Sequence, residues 1–179
     1  MGSEPQHLVV MGVSGSGKTT LAGRLAAHLQ YAFADADDFH PPPNVAKMAR
    51  GEPLTDADRA PWLQTLADWI AKHHAAGRST VLACSALKRR YRDTLRAAAP
   101  LHVLFIHLDT PREALRQRMR HRTGHYMPPE LLDSQLATLE PLAPDERGIV
   151  LDATATPDAL VERALALSAK RRSEARTSV

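Results

Sequence analysis

Residues 12–19 read Gly-Val-Ser-Gly-Ser-Gly-Lys-Thr, a complete G-x-x-x-x-G-K-[ST] pattern, placed between the apolar run His7-Leu-Val-Val-Met11 and a helical pattern opening at Gly17. A strand before and a helix after are the context in which this pattern carries a mechanism. Gly12, Gly15 and Gly17 lack Cβ, so the chain can take positive φ and approach an anion closely. The main-chain N–H groups of Gly12, Val13, Ser14, Gly15, Ser16, Gly17, Lys18, Thr19 and Thr20 then line a concave nest at a helix N-terminus, where the dipole favours negative charge. Lys18 can reach the β- and γ-phosphates of a nucleotide, and the Thr19 hydroxyl can hold the Mg2+ that bridges them. A plain Gly/Ser-rich turn would not require Lys and Thr at these two positions. The stretch therefore predicts binding of ATP with Mg2+ and leaves open what receives the phosphate.

Working outward, strand and helix patterns alternate. Strands are expected at 7–11, 31–35, 79–84, 102–108 and 147–152, and the last three are nearly continuous apolar runs, as strands buried on both faces require. Helices are expected at 17–30, from Thr55 or Asp56 to Gly77, at 86–98 with Ser85 as cap, from Thr110-Pro111 to about His121, at 129–139 and at 157–170. This order predicts a three-layer α/β architecture, a mostly parallel five-stranded sheet with helices on both faces, as in phosphate-loop NTPases. With 179 residues and no interdomain linker, one domain over 1–179 is expected. Two segments exceed a plain βαβ unit: 36–76, read as an acceptor-binding lobe, and the basic, Gly-broken 119–128, read as a lid. Residues 171–179 read as a solvated tail.

Composition excludes several classes. There is one cysteine, Cys84, so no internal disulfide forms, which fits a reducing compartment. The first residues carry no secretory pattern and no run approaches bilayer length, so a cytoplasmic protein without membrane association is expected. Net charge is +3, but only 4% of residues are aromatic and no nucleic-acid-binding module is present, so no nucleic-acid partner is expected.

The chemistry-bearing residues fall at the carboxyl ends of the strands or on the insertions, where open α/β sheets bind ligands. Strand two ends Asp35-Ala-Asp37-Asp38-Phe-His40. Asp35 and Asp37 are two apart and face one side of an extended chain. Asp35 is expected in the Mg2+ shell, through water, because strand three lacks the usual terminal acid. Asp37 is expected to orient the acceptor hydroxyl and take its proton. Strand three leads to Ser85, a donor at a strand-to-helix turn, and to Lys88 and Arg92, four apart and so expected on one helix face. Arg118 and Arg122 are also four apart, and both are expected to stabilise the transferring phosphoryl group, with Arg122 catalytic. Gly124 supplies a hinge and His125 a substrate contact; Cys84, Trp62 and Trp69 read as packing residues.

The stretches Met11–Lys18, Asp37-Asp-Phe-His-Pro41, Asn44-Val-Ala-Lys-Met48, Gly51–Leu63, Cys84–Asp93, Gly124-His-Tyr-Met127 and Leu132-Asp-Ser-Gln135 together resemble the gluconate kinase family, of the shikimate-kinase-like and nucleoside-monophosphate-kinase-like group. The resemblance spans about residues 8–152; Ala36, where Gly is expected, removes no functional group. It implies ATP-dependent phosphorylation of D-gluconate to 6-phosphogluconate, and a homodimer. The excursion offers His40, Lys47, Arg50 and Arg59 to a sugar acid, and the third strand leads to Lys88 and Arg92. By resemblance to shikimate kinase, Arg59 is the first choice to grip the acceptor carboxylate; Arg50, Lys88 and Arg92 stay open for that role, and His40, His125 and Ser85 are further contacts. Two alternatives stay open: a kinase of this fold with another acceptor, and a nucleotide-dependent switch.

Overall fold

The structure, a computed structural model, describes residues 3–121 and 129–177. Five strands, β1 (His7–Met11), β2 (Ala32–Asp35), β3 (Thr80–Ala83), β4 (Val103–Asp109) and β5 (Gly148–Asp152), form one sheet in the order β2-β3-β1-β4-β5. All pairs are parallel, with Val9 opposite Leu82 on one side and Phe105 on the other. The connecting helices are α1 (Lys18–Leu29), α2 (Pro42–Ala49), α3 (Asp56–Ala75), α4 (Arg89–Arg96), α5 (Arg112–Arg120), α6 (Pro129–Thr138) and α7 (Pro157–Thr177).

The period of two along β1 divides the core. Leu8 and Val10 face one layer with Leu25, Ile106 and Leu160, under α1 and α7. Val9 and Met11 face the other with Trp62, Leu66, Ile70 and Leu95, under α3 and α4. A third cluster of Val13, Leu87, Leu115 and Leu132 lies beneath the phosphate loop. Because every strand runs the same way, the ends of β1, β2 and β3 deliver their loops to one edge of the sheet.

The expected strands stand within a residue or two, and residues 36–76, expected as an acceptor-binding lobe, form a 3-10 turn (Ala36–Phe39), α2 and α3. Thr55 caps α3: its hydroxyl accepts the Asp58 N–H at 3.1 Å while the Asp58 carboxylate accepts the Thr55 N–H at 2.8 Å. Two expectations need correction. α4 begins at Arg89 with Lys88 as its cap, not after Ser85, because Ala86, expected as the first helical residue, takes a left-handed φ of 45° that lies outside the helical region. Residues 171–177, expected as tail, continue α7.

At the opposite edge, His7 is fully buried between the Thr80 hydroxyl at 2.8 Å and the ring of His74 at 3.1 Å, with the His102 ring tilted against His74 beyond. Burial first, then neighbouring His74, His102 and His73, push its pKa down to about 4. The unfolded chain therefore takes up this proton first, so the stability is full above pH ~6.5 and falls as pH drops toward 4, at up to about 1.4 kcal/mol per pH unit. The expected result is a melting temperature that declines between pH 6.5 and 4.5, above the range where carboxylates protonate, and a His7→Gln variant with a flatter profile. A wild-type melting temperature constant over that interval would count against it.

Candidate active site

The phosphate loop is shaped by its glycines. Gly12 has φ +146°, and a Cβ there would lie 2.9 Å from both the Leu108 carbonyl and Ser16 Oγ, so no side chain fits. Gly17, at φ +94°, caps α1. The Gly12 N–H donates to the Ser85 carbonyl at 3.3 Å, which ties the loop to the exit of β3. Lys18 Nζ curls over the loop and donates to the Val13 carbonyl at 3.1 Å.

The acidic pair sits beside it. Thr19 Oγ1 donates to Asp35 Oδ2 at 2.8 Å, and the other Asp35 oxygen accepts the Asp37 N–H at 3.0 Å. A hydroxyl and a carboxylate held together at the loop are an oxygen donor set of the kind Mg2+ uses when it keeps several waters and phosphate oxygens as ligands. The Asp37 side chain itself remains 87% exposed to the cleft. Crowding by protein on its inner side and the Asp35 carboxylate hold its pKa above the ordinary Asp value, against the pull of Lys18 and His40. A carboxylate so raised is a better proton acceptor than an ordinary one.

Residues 36–76 close the other side. His40 stacks on Trp62 with ring centroids 4.2 Å apart, and its Nε2 lies 3.8 Å from Asp37. Burial lowers its pKa, opposed by Asp37, so the ring is neutral near pH 7. Trp62 Nε1 donates to the Ala36 carbonyl at 2.7 Å, fixing α3 to the turn that carries Asp37. Arg59 NH1 donates to the Leu54 carbonyl at 2.6 Å and lies 3.4 Å from the Tyr91 hydroxyl. Tyr91 in turn donates to Asp56, which also binds Lys88 at 3.2 Å and Arg90 at 3.0 Å.

This accounting separates the cations. Lys88 and Arg90 share Asp56, Lys47 is paired with Asp58, and Arg50 with Glu52. Arg59 alone of these has no carboxylate partner among the described residues. Arg92, expected as a substrate ligand beside Lys88, is placed elsewhere: it is 0% exposed, binds Glu146 through Nε at 2.7 Å and NH2 at 2.9 Å, and gives NH1 to the Ala86 carbonyl. The shortened α4 is the reason, because Lys88 stands outside the helix and the two never share a face.

On the far side of the loop, a cleft of about 350 Å³ is lined by Thr20, Arg24, Arg118, Ala153, Ala155 and Pro157. Its size falls within the range of small-molecule pockets. Arg118 forms one wall, donating to the Ser16 carbonyl at 3.1 Å and the Ala153 carbonyl at 2.6 Å. Cys84 is buried, and burial pushes its thiol up to about 12, so it is inert. Ser85 is half-buried and meets the loop through its carbonyl. Arg122, Gly124 and His125, and with them most of the expected lid, lie outside the described residues. The sequence gives no site role to Tyr91, to Asp56, expected only as an alternative helix cap, or to the 153–157 wall, which carry no motif spacing of their own.

The parallel sheet, the glycine loop with Lys18 and Thr19, and the acidic turn facing a small lobe define a phosphate-loop small-molecule kinase. Residues 8–142 match the family model described as an AAA domain. The chain is 51% identical over 162 residues to the gluconokinase of Gluconobacter oxydans, with 90% of each chain covered. It superposes on the crystal structure of a gluconokinase from Sinorhizobium meliloti 1021 with a TM-score of 0.88 at 41% identity, covering 98% of this chain and 99% of that one. An unliganded sugar kinase from a Janibacter species gives a TM-score of 0.86 at 57% identity, covering 90% and 93%. The chain belongs to the gluconokinase family.

Proposed function

We propose that this protein transfers the γ-phosphoryl group of ATP to the terminal hydroxyl of D-gluconate, giving ADP and 6-phosphogluconate. The acceptor oxygen attacks the γ-phosphorus, the bond from that phosphorus to the β,γ-bridging oxygen breaks, and Asp37 takes the hydroxyl proton. Lys18 and the loop N–H groups stabilise the charge on the phosphoryl oxygens and on ADP. Thr19 and Asp35 would hold Mg2+, which supplies neutralisation of phosphate charge. Arg118 walls the nucleoside cleft, and Arg122 and His125 are assigned to the phosphoryl group and the substrate on the sequence reading.

The observation that carries the choice of acceptor is Arg59. Paired cations beside it cannot serve an incoming anion without losing a partner, whereas Arg59 lies near the neutral His40 without a carboxylate of its own among the described residues. A planar guanidinium there suits a sugar acid, which it can grip with two parallel hydrogen bonds. Ser85 is kept as a flanking contact, and Lys88 as one to the acceptor hydroxyls that leaves its pair with Asp56 in place; Arg92 is not kept. Arg59→Ala is expected to reduce kcat/KM for gluconate roughly 10²-fold, mostly through KM, while leaving KM for ATP within about twofold. An ADP-release assay over gluconate, shikimate and nucleoside monophosphates checks both parts; turnover faster with another acceptor, or an unchanged gluconate KM in the variant, would contradict the reading.

The same proposal includes a homodimer, supported by the family resemblance, and a cytoplasmic location, supported by the single buried cysteine. No helix among the described residues is long and apolar enough to cross a membrane. Light scattering that gives the mass of one chain would remove the dimer.

A further inference from the structure

Ser14, at the crest of the phosphate loop, is held from a distant element. Gln135 of α6 presents its carboxamide to it: Oε1 accepts the Ser14 N–H at 2.8 Å and Nε2 donates to Ser14 Oγ at 3.3 Å. The two residues are 121 apart in sequence, so no local turn dictates the contact. The helix is set firmly enough to aim it. Leu132, Leu136 and Leu139 pack with Val13, Leu87 and Leu115 under the loop. Just beyond its end, the Glu140 N–H donates to the Leu87 carbonyl at 2.7 Å and the Glu140 carboxylate accepts the Arg89 N–H at 3.1 Å. One helix thus braces the nucleotide loop and the segment that leads to Lys88.

The chemistry of the contact is selective. A carboxamide offers one acceptor and two donors and carries no charge. It can satisfy an N–H at the rim of an anion nest without opposing the anion. A carboxylate of the same shape would accept the same bond, and the Ser14 hydroxyl could turn to donate to it, yet it would set a negative charge beside the triphosphate. An alanine would leave the Ser14 N–H without its partner and the crest unbraced.

We propose that Gln135 is a positioning residue for phosphoryl transfer: it fixes Ser14 and so holds the phosphate loop in the shape that receives ATP. This rests on the reading of the loop as an ATP site and not on the identity of the acceptor. A displacement of the order of 1 Å at such a site can cost about 10²-fold in rate.

The experiment compares Gln135→Ala and Gln135→Glu with wild type by calorimetric binding of a nonhydrolysable ATP analogue with Mg2+, by steady-state kinetics in both substrates, and by thermal melting. Gln135→Glu, which keeps the shape and the bond, is expected to weaken analogue binding at least tenfold with a melting temperature near wild type. Gln135→Ala is expected to lower kcat/KM for ATP about tenfold while KM for gluconate stays within twofold. Analogue binding unchanged in both variants overturns the proposal. So do losses that are equal for ATP and gluconate and follow a lowered melting temperature, since packing alone would give that pattern. The analogue titration needs no acceptor, so it stands even if gluconate proves to be the wrong one.

Discussion

Asp37→Asn is expected to lower kcat by about 10³-fold while ATP affinity and the melting temperature hold. A positioned general base contributes roughly 10²–10⁴-fold, and Asn keeps the shape but cannot take a proton. The fold should not suffer. The Asp37 side chain is exposed at the cleft, and crowding together with Asp35 raises its pKa, so the folded state holds the ionised carboxylate less favourably than the unfolded chain does. Removing that charge relieves a repulsion, and the sign of the stability change is zero or upward. The pH profile gives a second reading: the acidic limb of wild-type kcat should fall at a pH above the ordinary Asp value, and that limb should vanish in the variant. Retention of a tenth of wild-type turnover by purified Asp37→Asn would remove Asp37 from the base role.

Arg92→Met is expected to destabilise the protein by about 3–5 kcal/mol, the cost of breaking a buried ion pair by removing one partner. At roughly 2–4 °C per kcal/mol for a chain of this length, the melting temperature should drop by about 10 °C. Arg92 is fully buried and the Glu146 side chain is 1% exposed; Arg96 binds the same carboxylate at 2.8 Å, and the Ala143 N–H donates to it at 2.8 Å. Burial pushes the Glu146 carboxyl up, but Arg92, the Ala143 N–H and Arg96 outweigh it and hold its pKa at about 2. Its folded value is thus depressed, so this stability is present above the ordinary Glu value and is lost as pH falls from about 4.5 toward 2. Arg92→Lys should not rescue it, because one ammonium cannot meet both carboxylate oxygens and the Ala86 carbonyl at once. The folded fraction should keep its KM for gluconate within about twofold. A variant that melts like wild type but binds gluconate poorly would restore Arg92 to the substrate site.

These two residues show what could be read from the chain alone. The position of Asp37 beside the loop was legible because its signal is local: a carboxylate two residues past Asp35 at a strand end, in a chain that already carries a phosphate loop. The five strands were legible for the same reason, since apolar runs with turn residues between them fix parallel strands closely. Arg92 was not. Its four-residue spacing from Lys88 meant a shared face only if both were helical, and the left-handed Ala86 delays the helix until Arg89. Its partner Glu146 is 54 residues away and carries no pattern of its own. Arg59, Lys88 and Arg90 were equally basic in sequence; only the fold shows that Asp56 neutralises two of them. Gln135 stands in a resembling stretch, but its role has no local signature, because the contact spans 121 residues.

The central claim is tested most directly by ADP release from the purified protein with ATP and Mg2+, comparing D-gluconate with D-glucose, which is close in size but lacks the carboxylate. The account predicts kcat/KM at least about 10²-fold higher for gluconate, with the phosphate on its terminal oxygen, because glucose would leave the cationic grip of Arg59 unpaired. Comparable values for the two sugars, or no turnover that depends on gluconate, would contradict it.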